Sequence, residues 1–352
     1  MNFTELKFRI LNRFRKPPLL GLDLGESGAK LVRIEQGKDG IRLERFYYPH
    51  RVNETDPSSV SRFRNFIKSH QMSGMMAACS VGDASLKMRR LDVPKMPDYD
   101  LKEAVKWQLR DVAEESIDHY AIRYSILDEY QTGETQRLAL MVYCVRRDAI
   151  RALMSLLKKV HLRAVLLEPS SVALLSCLDR MVQWEHGSLF GLVDLGESQS
   201  SFYAVGEGKL YFSRPLTDIS GQKLSQSMMG ELGFGEKDFR SLKEGLYTED
   251  EAVLRALGEK LRVVKAFLPL YYSKMAIEVQ RSLDALSIMY HRSKVDHVIL
   301  CGGLSGLPDL KEYLAKNVGI RTERLNPFEG WTVEKDHSYL YSVATGLALY
   351  QV

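Results

Sequence analysis

The sequence predicts a two-lobed α/β protein made by duplication of one strand–turn–strand unit, with a smaller β-α-β-β-α subdomain set into the first lobe. Three observations lead there. First, Gly21-Leu22-Asp23-Leu24-Gly25-Glu26-Ser27 returns as Gly191-Leu192-Val193-Asp194-Leu195-Gly196-Glu197-Ser198, and the two copies share the pentamer Asp-Leu-Gly-Glu-Ser. Second, each copy follows an apolar run and leads into an alternating one, Lys30-Leu31-Val32-Arg33-Ile34 or Ser201-Phe202-Tyr203-Ala204-Val205, the period of a half-buried strand. Third, 352 residues with 45% hydrophobic and 27% charged content suit two domains that each bury a core.

Composition removes several function classes. A formal charge of +4 is too small to point to nucleic acid. Cys79, Cys144, Cys177 and Cys301 lie far apart with no C-x-x-C pair, which fits a reducing compartment and no structural zinc. His161, His186 and His297 have no partners at metal-ligand spacing. No apolar stretch approaches the roughly 18 residues of a spanning helix, and the N-terminus has no apolar core with a cleavage site. The expectation is a soluble, cytoplasmic protein. Within residues 1–17, Phe3, Leu6, Ile10, Leu11 and Phe14 recur at helical spacing beside Lys7, Arg9, Arg13, Arg15 and Lys16. Such a segment suits an anionic membrane face, an arm packed on the body, or a disordered lead.

Each repeated hairpin ends its first strand on an Asp and places a Gly two residues later. A glycine lets the backbone approach a phosphate, and turn N–H groups with the hydroxyls of Ser27 and Ser198 can bind its oxygens. Asp23 and Asp194 are then the expected holders of a hydrated divalent cation. The spacing of Gly21, Gly25 and Gly28 is not a dinucleotide fingerprint, because a strand rather than a helix follows. No Walker pattern occurs either. Near the C-terminus, the apolar run 298–300 enters Cys301-Gly302-Gly303-Leu304-Ser305, and Pro308 opens an amphipathic helix carrying Leu310, Tyr313 and Leu314. Strand, double glycine and helix bring backbone against a ring or a sugar. A fourth segment, Glu168-Pro169-Ser170-Ser171, joins a strand over 164–167 to a small-residue helix.

In this order the four segments resemble the actin, Hsp70 and sugar-kinase superfamily. Within it the match is to the PilM family of type IV pilus assembly, with FtsA next. Segments around Arg89-Arg90-Leu91-Asp92-Val93-Pro94, Arg214-Pro215-Leu216, Glu278 to Leu283 and Asn326-Pro327-Phe328 also resemble PilM motifs. The resemblance implies a two-domain actin-like (RNase H-like, duplicated) ATPase fold that takes ATP with Mg2+. It assigns Asp23, Gly25, Glu26, Ser27, Gly28 and Lys30 to a first phosphate motif, and Asp194, Gly196, Ser198 and Gln199 to a second. Gly302, Gly303 and Leu304 fall on the adenosine motif, and Gly221 and Lys243 on the nucleoside side. Glu168 matches a residue beside the attacking water, which makes it the candidate catalytic group of at most a slow ATPase. Two departures stand out. Ser220-Gly221 replaces the family's Gly-Gly, and Arg240 replaces a Glu that would accept from both ribose hydroxyls, which implies weaker nucleotide binding.

The segment between the first hairpin and Glu168 reads as strand 86–93, a helix from Asp98 with Leu101, Val105, Leu109 and Val112 on one face, strands 120–127 and 137–145 across Gln131-Thr132-Gly133, and helix 148–160. In the PilM family a groove beside this subdomain takes the extended N-terminal cytosolic tail of PilN, an inner-membrane protein. The likeness therefore implies a PilN-like partner, peripheral membrane association through it at the inner face of the inner membrane, and room for self-association. The expected division is 1–17; a first domain of 18–83, rejoined by 164–188 and 339–352; an insert of 84–163; and a second domain of 189–338, with 216–289 as its outer part. An FtsA-like filament protein and a small-molecule kinase of the same fold are the competing functions. The kinase needs a further carboxylate base that no motif supplies.

Overall fold

A computed structural model describes residues 18–37, 40–82, 85–110, 116–233, 235, 259–290, 295–333 and 336–351. The expectations for residues 1–17, Val112, Arg240 and Lys243 lie outside the described residues.

The duplication is visible in the strand order. β1 (Leu19–Gly25), β2 (Gly28–Gly37), β3 (Gly40–Tyr48), β4 (Met76–Val81) and β8 (Arg163–Pro169) form a five-stranded sheet in the order β3-β2-β1-β4-β8. β9 (Phe190–Leu195), β10 (Ser200–Gly206), β11 (Lys209–Leu216), β12 (His297–Cys301) and β13 (Thr322–Arg324) repeat it as β11-β10-β9-β12-β13. In both sheets an antiparallel meander is followed by strands that pair in parallel, β1 with β4 and β9 with β12. The near-continuous apolar runs of β1 and β9 follow from their central positions, covered on both faces.

The helices explain that coverage. α1 (Pro57–Ser69) starts where Asp56 accepts from the Ser58 N–H and buries Phe63 and Ile67 under the first sheet. α4 (Ser170–Met181) lies between the lobes, packing Ala173, Leu174 and Leu178 against Leu19 and Ala78 of one sheet and Leu192, Tyr203 and Ile299 of the other. α8 (Ser342–Ala348) closes the first lobe, as its apolar, small-residue sequence predicts. It lies so close that a Cβ on Gly21 would sit 1.9 Å from the Ala344 carbonyl oxygen, so only glycine allows this packing. The far face of the second sheet is covered by α5 (Gly221–Leu232), α6 (Glu259–Tyr290) and α7 (Leu310–Val318).

Strands β5 (Leu86–Pro94), β6 (Tyr120–Thr132) and β7 (Thr135–Arg146) make a three-stranded sheet in the order β5-β7-β6, with α2 (Asp98–Gln108) on one face. With α3 (Arg147–Lys159), the order is the expected β-α-β-β-α. Two details differ from the sequence reading. The hairpin strands run past Leu127 to Thr132 and resume at Thr135, with Gly133 at φ +59°, because a bulge near Leu127 lets the polar stretch 128–132 stay paired. The closing helix α3 buries Leu156 and Leu157 in the first-lobe core with Phe63 and Ile67, and not against the inserted sheet. An amphipathic stripe reveals a buried face but not its partner.

The motif segments at Arg214 and Glu278–Leu283 prove to be one network. Arg214 donates to the Glu278 carboxylate at 2.9 Å and to Ser282 Oγ at 2.9 Å, and Arg281 reaches the same carboxylate at 2.6 Å. Together they fasten β11 to α6.

Candidate functional site

The two repeated hairpins line one cavity of about 1070 Å³ between the lobes, with Gly302 and Gly303 on its wall. Asp23, Gly25, Glu26, Ser27, Lys30, Asp194, Gly196, Ser198 and Gln199 all border it. Cross-strand register explains the first half. Asp23 pairs with Lys30 on β2, Lys30 with Tyr47 on β3, and Ser80 on β4 with Glu168 on β8. Ser80 Oγ closes the row by donating to Asp23 Oδ1 at 3.0 Å. Directly opposed residues share a face of a sheet, so Tyr47, Lys30, Asp23, Ser80 and Glu168 form one polar row along its edge.

Lys30 is the unusual member. Its side chain is 7% exposed, and its ammonium donates to Ser27 Oγ and the Gly28 carbonyl, both at 3.2 Å. No carboxylate of the described residues comes within ion-pair distance of it. A buried ammonium held only by neutral acceptors aimed into a cleft is suited to an anion.

The second half of the cavity is set by backbone. The loop after β9 meets the start of α5, where the Gly221 N–H donates to the Gly196 carbonyl at 3.0 Å and the Gln222 N–H to the Glu197 carbonyl at 2.9 Å. Ser220 caps this helix, its Oγ accepting from the Lys223 N–H at 3.1 Å. Its backbone is extended (φ −167°), so this position does not require the glycine that the family resemblance led one to expect. Gly302 does require one. At φ +79°, a Cβ there would stand 2.5 Å from Asp194 Oδ1.

Burial perturbs neighbouring groups. It holds the Glu168 carboxyl above its ordinary value. Burial, and then the Glu197 charge from the opposite lobe, raises the Tyr47 hydroxyl. Burial raises the Cys301 thiol well above its ordinary value, helped by the Asp194 charge.

Several expected residues stand elsewhere. Leu304 sits in a short 3-10 turn, Gly303–Gly306, that points it into the second-lobe core at 1% exposure. That turn also delays the following helix to Leu310, beyond Pro308. Gly28, Gly221 and Glu168 do not border the cavity, and Gly221 faces the Glu197 carboxylate instead. Trp107 is 67% exposed on α2, while Trp331 lies under Arg180. Sequence reading passed over Ser80, Arg45, Tyr47, Arg51 and Tyr339, which border the cavity. Of these, only the alternation of β3 carried a usable signal, since it sets Arg45 and Tyr47 on one face.

Among the described residues no cluster of His, Cys, Asp and Glu could hold a metal ion alone, and no helix is long and apolar enough to cross a membrane. No curated protein matches the chain significantly. The fold is similar to a solved "PilM-PilN type IV pilus biogenesis complex" at a TM-score of 0.78 and 22% identity, over 96% of this chain and 99% of that one. It is also similar to the ethanolamine utilization protein EutJ from Carboxydothermus hydrogenoformans at a TM-score of 0.54 and 15% identity, over 99% of this chain and 97% of that one. The two lobes and the cleft are therefore those of the actin-like ATPase fold. The family model for the type IV pilus assembly protein PilM matches residues 21–352, and the chain belongs to that family.

Proposed function

We propose that the chain is a nucleotide-binding scaffold of type IV pilus assembly, which docks the cytosolic N-terminal tail of a PilN-like inner-membrane protein and is held at the membrane through it. The observation that carries the nucleotide half is the convergence of both Asp-Leu-Gly hairpins and the buried Lys30 on one cleft. The residues fit ATP with Mg2+. Lys30 and the turn N–H groups of the two hairpins would take phosphate oxygens, while Gly302 and Gly303 leave backbone bare on the wall. Asp23, fixed by Ser80, and Asp194 would hold the cation through its water shell, since each site offers too few ligands to strip it. The bound cation would supply charge neutralisation between the phosphates. Glu168, whose proton affinity burial raises, stands on the same sheet edge outside the cavity lining and is the candidate proton acceptor. A scaffold needs no rapid turnover.

The partner half rests on family membership and on the likeness to a PilM bound to PilN. The tail would bind in extended form beside the inserted sheet, where β5 and β6 are both edge strands. A free tail is disordered, so a dissociation constant on the order of micromolar is expected. Hydrogen exchange with and without synthetic N-terminal tails of PilN-like proteins tests the reading. Slowed exchange in β5 or β6 supports it. Unchanged exchange at saturating tail, together with rapid ATP-dependent phosphorylation of a metabolite, favours the kinase instead.

A further inference from the structure

The inserted sheet is joined by chain to the first lobe, since β5 follows β4 and α3 leads into β8. Its packing lies elsewhere. β7 alternates, giving Leu138, Leu140 and Val142 to α2 and Ala139 and Met141 to the opposite face. That opposite face meets α4 and the second lobe, where Leu127, at 2% exposure, shares a core with Val205 and Leu210.

Polar contacts fix the same junction at two points. Lys209 of β11 donates its ammonium to the Leu127 carbonyl at 2.8 Å. That carbonyl lies at the bulge of β6, where the ladder to β7 slips. On the other side, the Arg90 guanidinium of β5 lies 4.3 Å over the ring of Tyr290, the last residue of α6, and reaches Asp92 at 3.3 Å. Tyr130 donates to the same Asp92 carboxylate at 2.8 Å, and the Tyr290 hydroxyl bonds the Tyr211 carbonyl of β11. β5 and β6 are thus each tied to the second lobe, while the chain enters and leaves the insert from the first, through β4 and β8.

We propose that the inserted sheet is a strut between the lobes, fastened by Lys209–Leu127 and Arg90–Tyr290, so that the width of the cleft and the placement of β5 and β6 change together. A rigid sheet tied to both lobes leaves the lobes little freedom to separate without breaking one tie or moving the sheet. If the tail docks on those edge strands, as proposed above, tail and nucleotide then act on one two-state element and each changes the other's affinity by the same factor.

The first test needs no ligand. Spin labels at Glu54 of the first lobe and Thr217 of the second, both exposed, report the distance between the lobes; the four native thiols are buried and stay unlabelled. Cutting both ties in Arg90→Met/Lys209→Met, which keeps the aliphatic stems, is expected to widen the distance distribution at least twofold. Superposable distributions in folded wild type and variant overturn the strut. Should the double variant lose its cooperative melt, Lys209→Met alone carries the comparison. A second measurement titrates the PilN-like tail with and without saturating ATP–Mg2+. The wild type is expected to show an affinity ratio of about five or more and the variant a ratio below about two. A wild-type ratio of one with both ligands bound contradicts the coupling. Absence of binding by either ligand defeats the functional reading instead, and leaves the spin-label distances to decide the strut.

Discussion

Replacing Lys30 by Met separates the demands of folding from those of the cleft. The substitution keeps the length of the buried stem and removes only the ammonium, which meets Ser27 Oγ and the Gly28 carbonyl at 3.2 Å each. Hydrogen bonds from a charged donor contribute about 1.5–3 kcal/mol apiece, while desolvating an ion costs several kcal/mol. The two nearly cancel, so the ligand-free variant should unfold in urea within about 1 kcal/mol of wild type, or slightly above it. Phosphate binding should respond very differently. Losing this buried cation aimed at the ligand removes about 2–3 kcal/mol, a weakening of about 30- to 150-fold for ATP–Mg2+ and for pyrophosphate alike. Isothermal titration beside urea unfolding reads both numbers on one preparation. Affinity within twofold of wild type, or a stability loss above about 3 kcal/mol, would show that Lys30 is a structural residue and that phosphates bind elsewhere.

Three further outcomes follow from the packing. Because burial raises the Glu168 carboxyl, the native state keeps that proton to higher pH than the unfolded chain does. Stability should therefore fall as pH rises from the ordinary carboxylate value through the raised one, and Glu168→Gln should flatten that slope in urea midpoints; an unchanged slope assigns it to another group. Arg214→Met strands half of the Glu278 carboxylate, leaving Arg281 as its remaining partner, and should cost about 2–3 kcal/mol, whereas a neutral result would mean that Arg281 alone suffices. All four thiols are buried and that of Cys177 is pushed up to about 12, so an aromatic disulfide reagent should label none until denaturant is added; a fast-reacting native thiol would contradict the packing.

Much of the fold was legible because the chain states it twice. Asp23-Leu24-Gly25-Glu26-Ser27 and its copy at Asp194 sit in equivalent hairpins of two sheets with the same strand order. The alternation after each Asp-Leu-Gly, and the absence of a helix there, exclude the dinucleotide motif from sequence alone. What lay beyond reach depends on neighbours distant in sequence. Ser80 meets Asp23 across 57 positions, in no motif, and only strand register brings them together. Leu304 follows two glycines that border the cavity, yet a single 3-10 turn rotates it into the core. The helix over 147–159 has a clear apolar stripe, but the stripe could not tell that its partner is the first-lobe helix over 57–69.

Calorimetric titration of the full chain with ATP in the presence and absence of Mg2+, repeated on Asp194→Ala, addresses the cleft most directly. The Asp194 carboxylate stands against Gly302 on the cavity wall, so its loss removes a cation holder without opening the core. Saturable, Mg2+-dependent binding by the wild type is expected, with at least about a tenfold weaker constant in the variant and an unchanged melting transition. No binding by the wild type, or equal affinity in the two proteins, would contradict a nucleotide site built from the paired hairpins.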